Sequence, residues 1–157
     1  MNLFILTESD GSPIADKTAA AVTSMTNTTE VSSLGNVVLG DSEPLTVKFT
    51  TGTAAPAFAG AVGYTLAVAL GYTTSNGSEA YVEATGIAST TGGWTGRLPL
   101  TGTDFISAVN IAGGSSRCSQ NSSTRGGTFT LHIRVTDTNA NVTTYAILPV
   151  FVIWRVL

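Results

Sequence analysis

From Thr128 to Thr136, and again from Val142 to Trp154, the chain runs as two long apolar-rich segments separated by Asp137-Thr138-Asn139-Ala140-Asn141. In the first of them Phe129, Leu131, Ile133 and Val135 alternate with Thr130, His132 and Arg134. A period of two sends successive side chains to opposite faces, so the pair reads as a terminal hairpin with one buried face. Upstream, Leu45, Val47 and Phe49 alternate with Thr46 and Lys48; Asp41-Ser42-Glu43-Pro44 leads into this strand and the stretch from Thr51 to Pro56 ends it. Tyr64, Leu66, Val68 and Leu70 share the face of a further strand whose other face carries small residues. Ser75-Asn76-Gly77-Ser78 signals a tight turn, because Asn-Gly supplies positive φ readily. Glu79 to Thr85 then gives a strand bearing Tyr81, Gly86 to Gly93 a connection, and Trp94 to Leu100 a short strand whose Pro99 belongs at an edge or exit. Thr103 to Val109 is the one helical turn, capped by Thr103 or Asp104, and a Gly/Ser loop from Ala112 to Gly127 follows. Six or seven such strands predict an all-β fold, an immunoglobulin-like antiparallel β-sandwich over residues 37–157.

The pattern differs in residues 1–36. Leu3 to Leu6 can form one short strand, and Asp10-Gly11-Ser12-Pro13 after it is a turn. From Ala15 to Asn36 apolar residues are isolated among Thr, Ser and Asn, with no sustained period. The reading is an extended N-terminal arm, either a floppy linker or a segment ordered on a partner. Fixing about 20 residues costs roughly 1–2 kcal/mol each in backbone entropy, more than so few apolar side chains offset alone. Leu3, Phe4, Ile5, Leu6, Val22, Met25, Val31 and Leu34 are the residues that such an arm would use to grip a neighbouring subunit.

Composition changes the picture in one respect. With 157 residues and 43% hydrophobic content, the chain can bury a core without staples. Only 11% of residues are charged, against about 25% in an average soluble protein. A surface this neutral has little electrostatic protection against association, which points to an assembly component covered by neighbours of its own kind, as a homo-oligomer, or of another kind. The net charge of −3 and the scattered Lys and Arg leave no basic face, so nucleic-acid binding is not expected. No apolar run approaches the roughly 20 residues that a helical membrane span needs, and Met1 to Leu6 lacks the basic start of a signal peptide, so synthesis in the cytoplasm as a soluble chain is expected.

Candidate chemistry is sparse, and neither catalysis, a cofactor nor a metal is expected. Cys118 is the sole thiol, set in a loop beside Arg117, and suits a reducing compartment. Asn27, Asn76, Asn121 and Asn141 open glycosylation-like triplets of the kind that a Ser/Thr-rich chain produces by chance. His132 is the only imidazole and has no nucleophile elbow to serve, so a surface or subunit-contact role is expected. Asp137-x-Asn139-x-Asn141 begins like a calcium loop, but Val142 and Leu148 stand where Gly and Glu are required. Glu79 and Glu83 share a strand face and read as solvated. Trp94 and Tyr81 could stack on sugar rings, the competing reading being that Trp94 plugs the core; Trp154 is expected at the sandwich end or in a subunit contact.

Taken in order, Gly40 to Phe49, Gly93-Trp94-Thr95-Gly96-Arg97-Leu98-Pro99-Leu100, the Thr103 to Val109 segment and Gly127 to Asp137 resemble the N-terminal immunoglobulin-like domain of tailed-phage baseplate upper proteins and related fibre-base proteins. The resemblance spans roughly Val37 to Trp154. It implies a virion structural subunit of a tail, baseplate, fibre base or capsid decoration, assembled in threefold or sixfold rings (a trimer or hexamer) with other virion proteins, and without catalysis. Family members commonly continue into a stem and a receptor-binding module, whereas this sequence stops at Leu157. A carbohydrate-binding or adhesive sandwich using Trp94 and Tyr81 is the alternative from a different class.

Overall fold

A computed structural model describes residues 1–73, 79–101 and 126–154. The expected turn at Ser75–Ser78, the helical turn at Thr103–Val109, most of the Gly/Ser loop and Cys118 lie outside the described residues. Ten strands are described: β1 (Asn2–Leu6), β2 (Ala21–Val22), β3 (Asn36–Leu39), β4 (Ser42–Thr50), β5 (Thr65–Thr73), β6 (Glu79–Glu83), β7 (Thr85–Thr90), β8 (Gly93–Pro99), β9 (Gly126–Thr136) and β10 (Val142–Trp154). A single 3-10 turn at Lys17–Ala19 interrupts them, with Asp16 accepting from the Thr18 backbone N–H.

The strands form two five-stranded sheets, ordered β2-β1-β4-β8-β7 and β3-β10-β9-β5-β6. Leu45, Val47, Phe49, Trp94 and Leu98 on the first sheet meet Leu66, Val68, Leu70, Leu131, Ile133 and Leu148 on the second, all buried. The protein is therefore an all-β sandwich, as the period-two runs predict. With β1 and β2 set aside, the strand order is that of an immunoglobulin sandwich, B-E-D against A′-G-F-C-C′. Six of the eight pairings are antiparallel, but β1 pairs with β4 and β3 with β10 in parallel. Both parallel pairs join strands far apart in sequence, and only a long connection permits that geometry.

Two elements escape the sequence pattern. Gly86 to Thr90 lies within the stretch read as a connection, yet with Thr85 it forms an edge strand whose register slips against β8 between Thr85 and Ala88. In β10 the register against β9 shifts between Thr144 and Ala146, leaving Tyr145 as the extra residue of a bulge. Tyr145 and Ala146 are consequently both buried, although they are neighbours in sequence.

The N-terminal segment does not stand apart as an arm; its strands β1 and β2 are built into the first sheet. β1 lies between β2 and β4, with Leu3 opposite Val47 and Ile5 opposite Phe49. Leu3, Ile5, Ala20, Ala21 and Val22 are buried, while Val31 and Leu34 pack against the core from its margin. The Thr/Ser/Asn density that looked unstructured ties the segment to itself. Thr23 donates through its N–H to the Thr29 carbonyl, Asn27 through its N–H to Ser24 Oγ, and Thr29 through its N–H to Asn27 Oδ1. Short polar side chains thus supply the turns, and three small or branched residues supply the anchor.

Gly93 fixes how closely β8 approaches β4. A Cβ there would sit 2.0 Å from the Val47 carbonyl oxygen, a backbone atom that cannot turn aside. Gly93→Ala is expected to force the two central strands apart and to cost at least about 1–3 kcal/mol, read as a lowered midpoint in urea unfolding.

Candidate functional site

The residues singled out in the sequence divide by where the sandwich places them. Trp94 is 2% exposed, and its ring meets Phe49 edge-on at 5.9 Å between centroids. It plugs the core, so it is not available to a sugar. Tyr81 is 60% exposed and projects from the outer face of β6, where its strand neighbour is Gly71. Nothing brings these two together: one faces inward on the first sheet and the other outward on the second. Of the predicted gripping residues, Leu3 and Ile5 are consumed by the molecule's own core, Val22 is buried opposite Phe4, and Phe4, Leu6, Met25, Val31 and Leu34 are half-buried. Trp154 ends β10, opposite Leu39, and its side chain lies outside the description.

An aromatic cluster closes one end of the sandwich. Phe49 packs edge-on against Phe58 and Tyr145, both at 5.2 Å, and Phe58 lies 5.1 Å from Tyr145 and 6.1 Å from Tyr64. The bulge in β10 aims Tyr145 here, and its buried hydroxyl donates to the Gly11 carbonyl at 2.9 Å. Above the cluster opens a cleft of about 400 Å³ lined by Asp10, Ser12, Phe58, Tyr64, Asp137 and Thr143 among others. The turn after β1, the β4–β5 loop and the β9–β10 hairpin all meet at this cleft. In an immunoglobulin sandwich two of these are the B–C and F–G loops.

Both carboxylates of the cleft are held below the ordinary range by their own turns. For Asp137 the Asn141 side-chain amide contributes most, followed by the N–H groups of Asn141 and Asn139, which donate at 2.9 and 2.8 Å. For Asp10 the donors are the hydroxyl and then the N–H of Ser12. Burial, the Asp10 charge and Tyr64 together push the Tyr145 phenol up. The calcium-like spacing at Asp137 is thus spent on a hairpin turn, in which Ala140 adopts φ 64°. Among the described residues no group of three His, Cys, Asp or Glu could hold a metal.

A pH dependence follows with a definite sign. A carboxylate whose folded pKa is depressed adds stability that is present above its unfolded value, here 3.8, and is lost as pH falls through the folded value. The thermal midpoint is expected to fall from about pH 5 downward, and Asp137→Ala to be less stable at neutral pH with a shallower loss in acid.

The outer face of the second sheet is the other feature. Along β10, Ala146, Leu148, Val150 and Val152 point inward and are buried. Ile147, Phe151 and Ile153 point outward and are half-buried, with Pro149 exposed between them. The row continues onto β3, where Val38 lies beside Ile153. A strand with a solvated outer face alternates apolar with polar residues; β10 is apolar on both faces over this stretch. Beyond it come Thr128, Thr130, His132 and Arg134 on β9, then Ala67, Ala69 and Gly71 on β5. The His132 ring sits between Ala69 and Ile147, half-buried. The signal was present in Val150-Phe151-Val152-Ile153, where the alternation lapses.

No helix among the described residues is long and apolar enough to cross a membrane. The chain matches no protein-family model and no curated protein.

Proposed function

We propose that this protein is a non-enzymatic structural subunit of a virion, of the tail, baseplate, fibre-base or decoration type, which acts by docking its second sheet against neighbouring proteins. The observation that carries this reading is the outward apolar row of β10, Ile147, Pro149, Phe151 and Ile153, on a chain with 11% charged residues. The resemblance of the Val37 to Trp154 region to phage baseplate domains supplies the kind of particle. The N-terminal segment has a different part in this scheme from the one expected of an arm. It completes the sandwich, and the outer sheet face takes over the contact.

The test is protein mass spectrometry on purified particles from a producing culture. The chain at a fixed stoichiometry to the other particle proteins supports the reading; recovery only from the particle-free fraction overturns it.

A second reading has its own observation. The end cleft, with Phe58 and Tyr64 beside ionised Asp10 and Asp137, has the size and mixed lining of a small-ligand site, so an adhesive sandwich would bind sugar there and not at Trp94. Glycan-array binding that Tyr64→Ala removes and Tyr81→Ala leaves intact would favour it.

A further inference from the structure

We propose that the cleft at the aromatic end of the sandwich binds an organic cation that carries hydrogen-bond donors, a guanidinium or primary ammonium group. The inference does not rest on docking of the second sheet; it gives the cleft of the second reading a charged ligand in place of a neutral sugar.

The cleft is the open end of the space between the two sheets. Thr143 pairs with Val135, whose side chain is buried in the core, and the turn after β1 and the loop after β4 bring Ser12 and Phe58 to the same place from the first sheet. Its wall is aromatic. Phe58 lies 5.1 Å from Tyr145 and 6.1 Å from Tyr64, and all three residues line the opening. Aromatic faces attract a cation within about 6 Å of the ring centre.

The charge of the cleft is of one sign. Asp10 and Asp137 line it, and no Lys, Arg or His is among the described residues that do so. Their field reaches the aromatic wall: after burial, the Asp10 charge is the next cause that pushes the Tyr145 phenol up. An anion would be repelled here, and a neutral ligand would gain nothing from the two charges. The carboxylates also have capacity to spare. Ser12 donates only to Oδ1 of Asp10, and Oδ2 of Asp137 accepts one bond, from Asn141 Nδ2 at 3.1 Å. A carboxylate oxygen accepts two, so a donor-bearing head group can be bonded as well as attracted.

Both sides of the site are fixed before a ligand arrives. Gly11, at φ 85°, lets its turn approach the β4–β5 loop so closely that a Cβ there would lie 3.3 Å from Pro56 Cβ. The Tyr145 hydroxyl holds the same turn through the Gly11 carbonyl at 2.9 Å. Asp137 is held by the N–H groups of Asn139 and Asn141 at 2.8 and 2.9 Å. Little ordering is left to oppose binding.

The experiment is a titration of the isotope-labelled full chain, followed by its amide NMR signals, with methylguanidinium, tetramethylammonium and N-acetylglucosamine in turn at constant ionic strength. Methylguanidinium is expected to shift the amides of Gly11, Ser12, Asn139 and Thr143 saturably, and tetramethylammonium, which has no donor, to bind less tightly. In an Asp10→Asn/Asp137→Asn variant, which keeps an acceptor oxygen in each turn, affinity for methylguanidinium is expected to fall at least about fivefold. Tyr64→Leu removes one ring of the wall, leaves both carboxylates in place and is expected to weaken the same binding. Shifts that do not saturate or that spread over the whole surface, unchanged affinity in the double variant, or equal binding of tetramethylammonium overturn the assignment. Shifts of these amides by N-acetylglucosamine alone overturn the cation and leave the sugar reading standing. None of these outcomes bears on particle incorporation, so the sheet-docking reading stands or falls separately.

Discussion

A chain lacking residues 1–36 is expected not to fold. Leu3 and Ile5 are buried in the shared core and Val22 is buried opposite Phe4, and burying a side chain of this kind is worth about 1.5–3 kcal/mol. Three such losses are comparable to the whole stability of a typical domain, about 5–15 kcal/mol. The deletion also strips β4 of its neighbour along Thr46 to Thr50, leaving those backbone groups unpaired. Circular dichroism and urea titration of the truncated chain are expected to show no cooperative transition, with the product recovered as aggregate. A truncated chain that unfolds cooperatively near the full-length midpoint would mean that the segment is an accessory arm after all.

Trp94→Ala is expected to be the most damaging single truncation. The ring is buried against the first sheet, on a strand flanked by β4 and β7, and it meets Phe49 edge-on. Phe49 in turn supports Phe58 and Tyr145, so a cavity at Trp94 loosens the whole aromatic end. Removal of a buried Phe or Trp side chain costs about 3–5 kcal/mol, a large share of the total. Tyr81→Ala, at an exposed position, is expected to change stability by no more than about 0.5 kcal/mol. Chemical denaturation of the two variants side by side checks both values. Equal effects would show that Trp94 is not the plug described above.

The long strands β4, β5 and β9 were legible in the sequence because one buried face imposes a period of two, which they keep; β10 was legible as a long apolar run although its alternation lapses. The short ones were not. β2 is two residues, too few for any period, and its place is set by pairing with Phe4 and Ile5. β7 reads Thr-Gly-Ile-Ala-Ser-Thr, in which only Ile87 is large and apolar, so its strand character comes from its pairing with β8. The bulge at Tyr145 was hidden because an inserted residue shifts parity without altering composition. Among site residues, Trp94 was open to a sugar-stacking and a core reading, and the structure places it in the core. The end cleft could not be foreseen, since it joins Asp10, Phe58 and Asp137 from three distant loops.

The parallel seam between β3 and β10 also governs when the molecule can fold during synthesis. Asn36 to Leu39 must wait for Phe151 to Trp154, and β10 is the strand that separates β3 from β9 in the finished sheet. Until residue 154 has cleared the ribosome, the second sheet lacks a complete β10 and the first lacks part of the cover that Ala146, Leu148, Val150 and Val152 give it. Folding is therefore a single late event dominated by long-range pairing, a class that takes milliseconds to seconds. For that interval the double-faced apolar strand is exposed on every newly made chain, so rapid self-association of incomplete sandwiches is the hazard that production of this protein has to outrun.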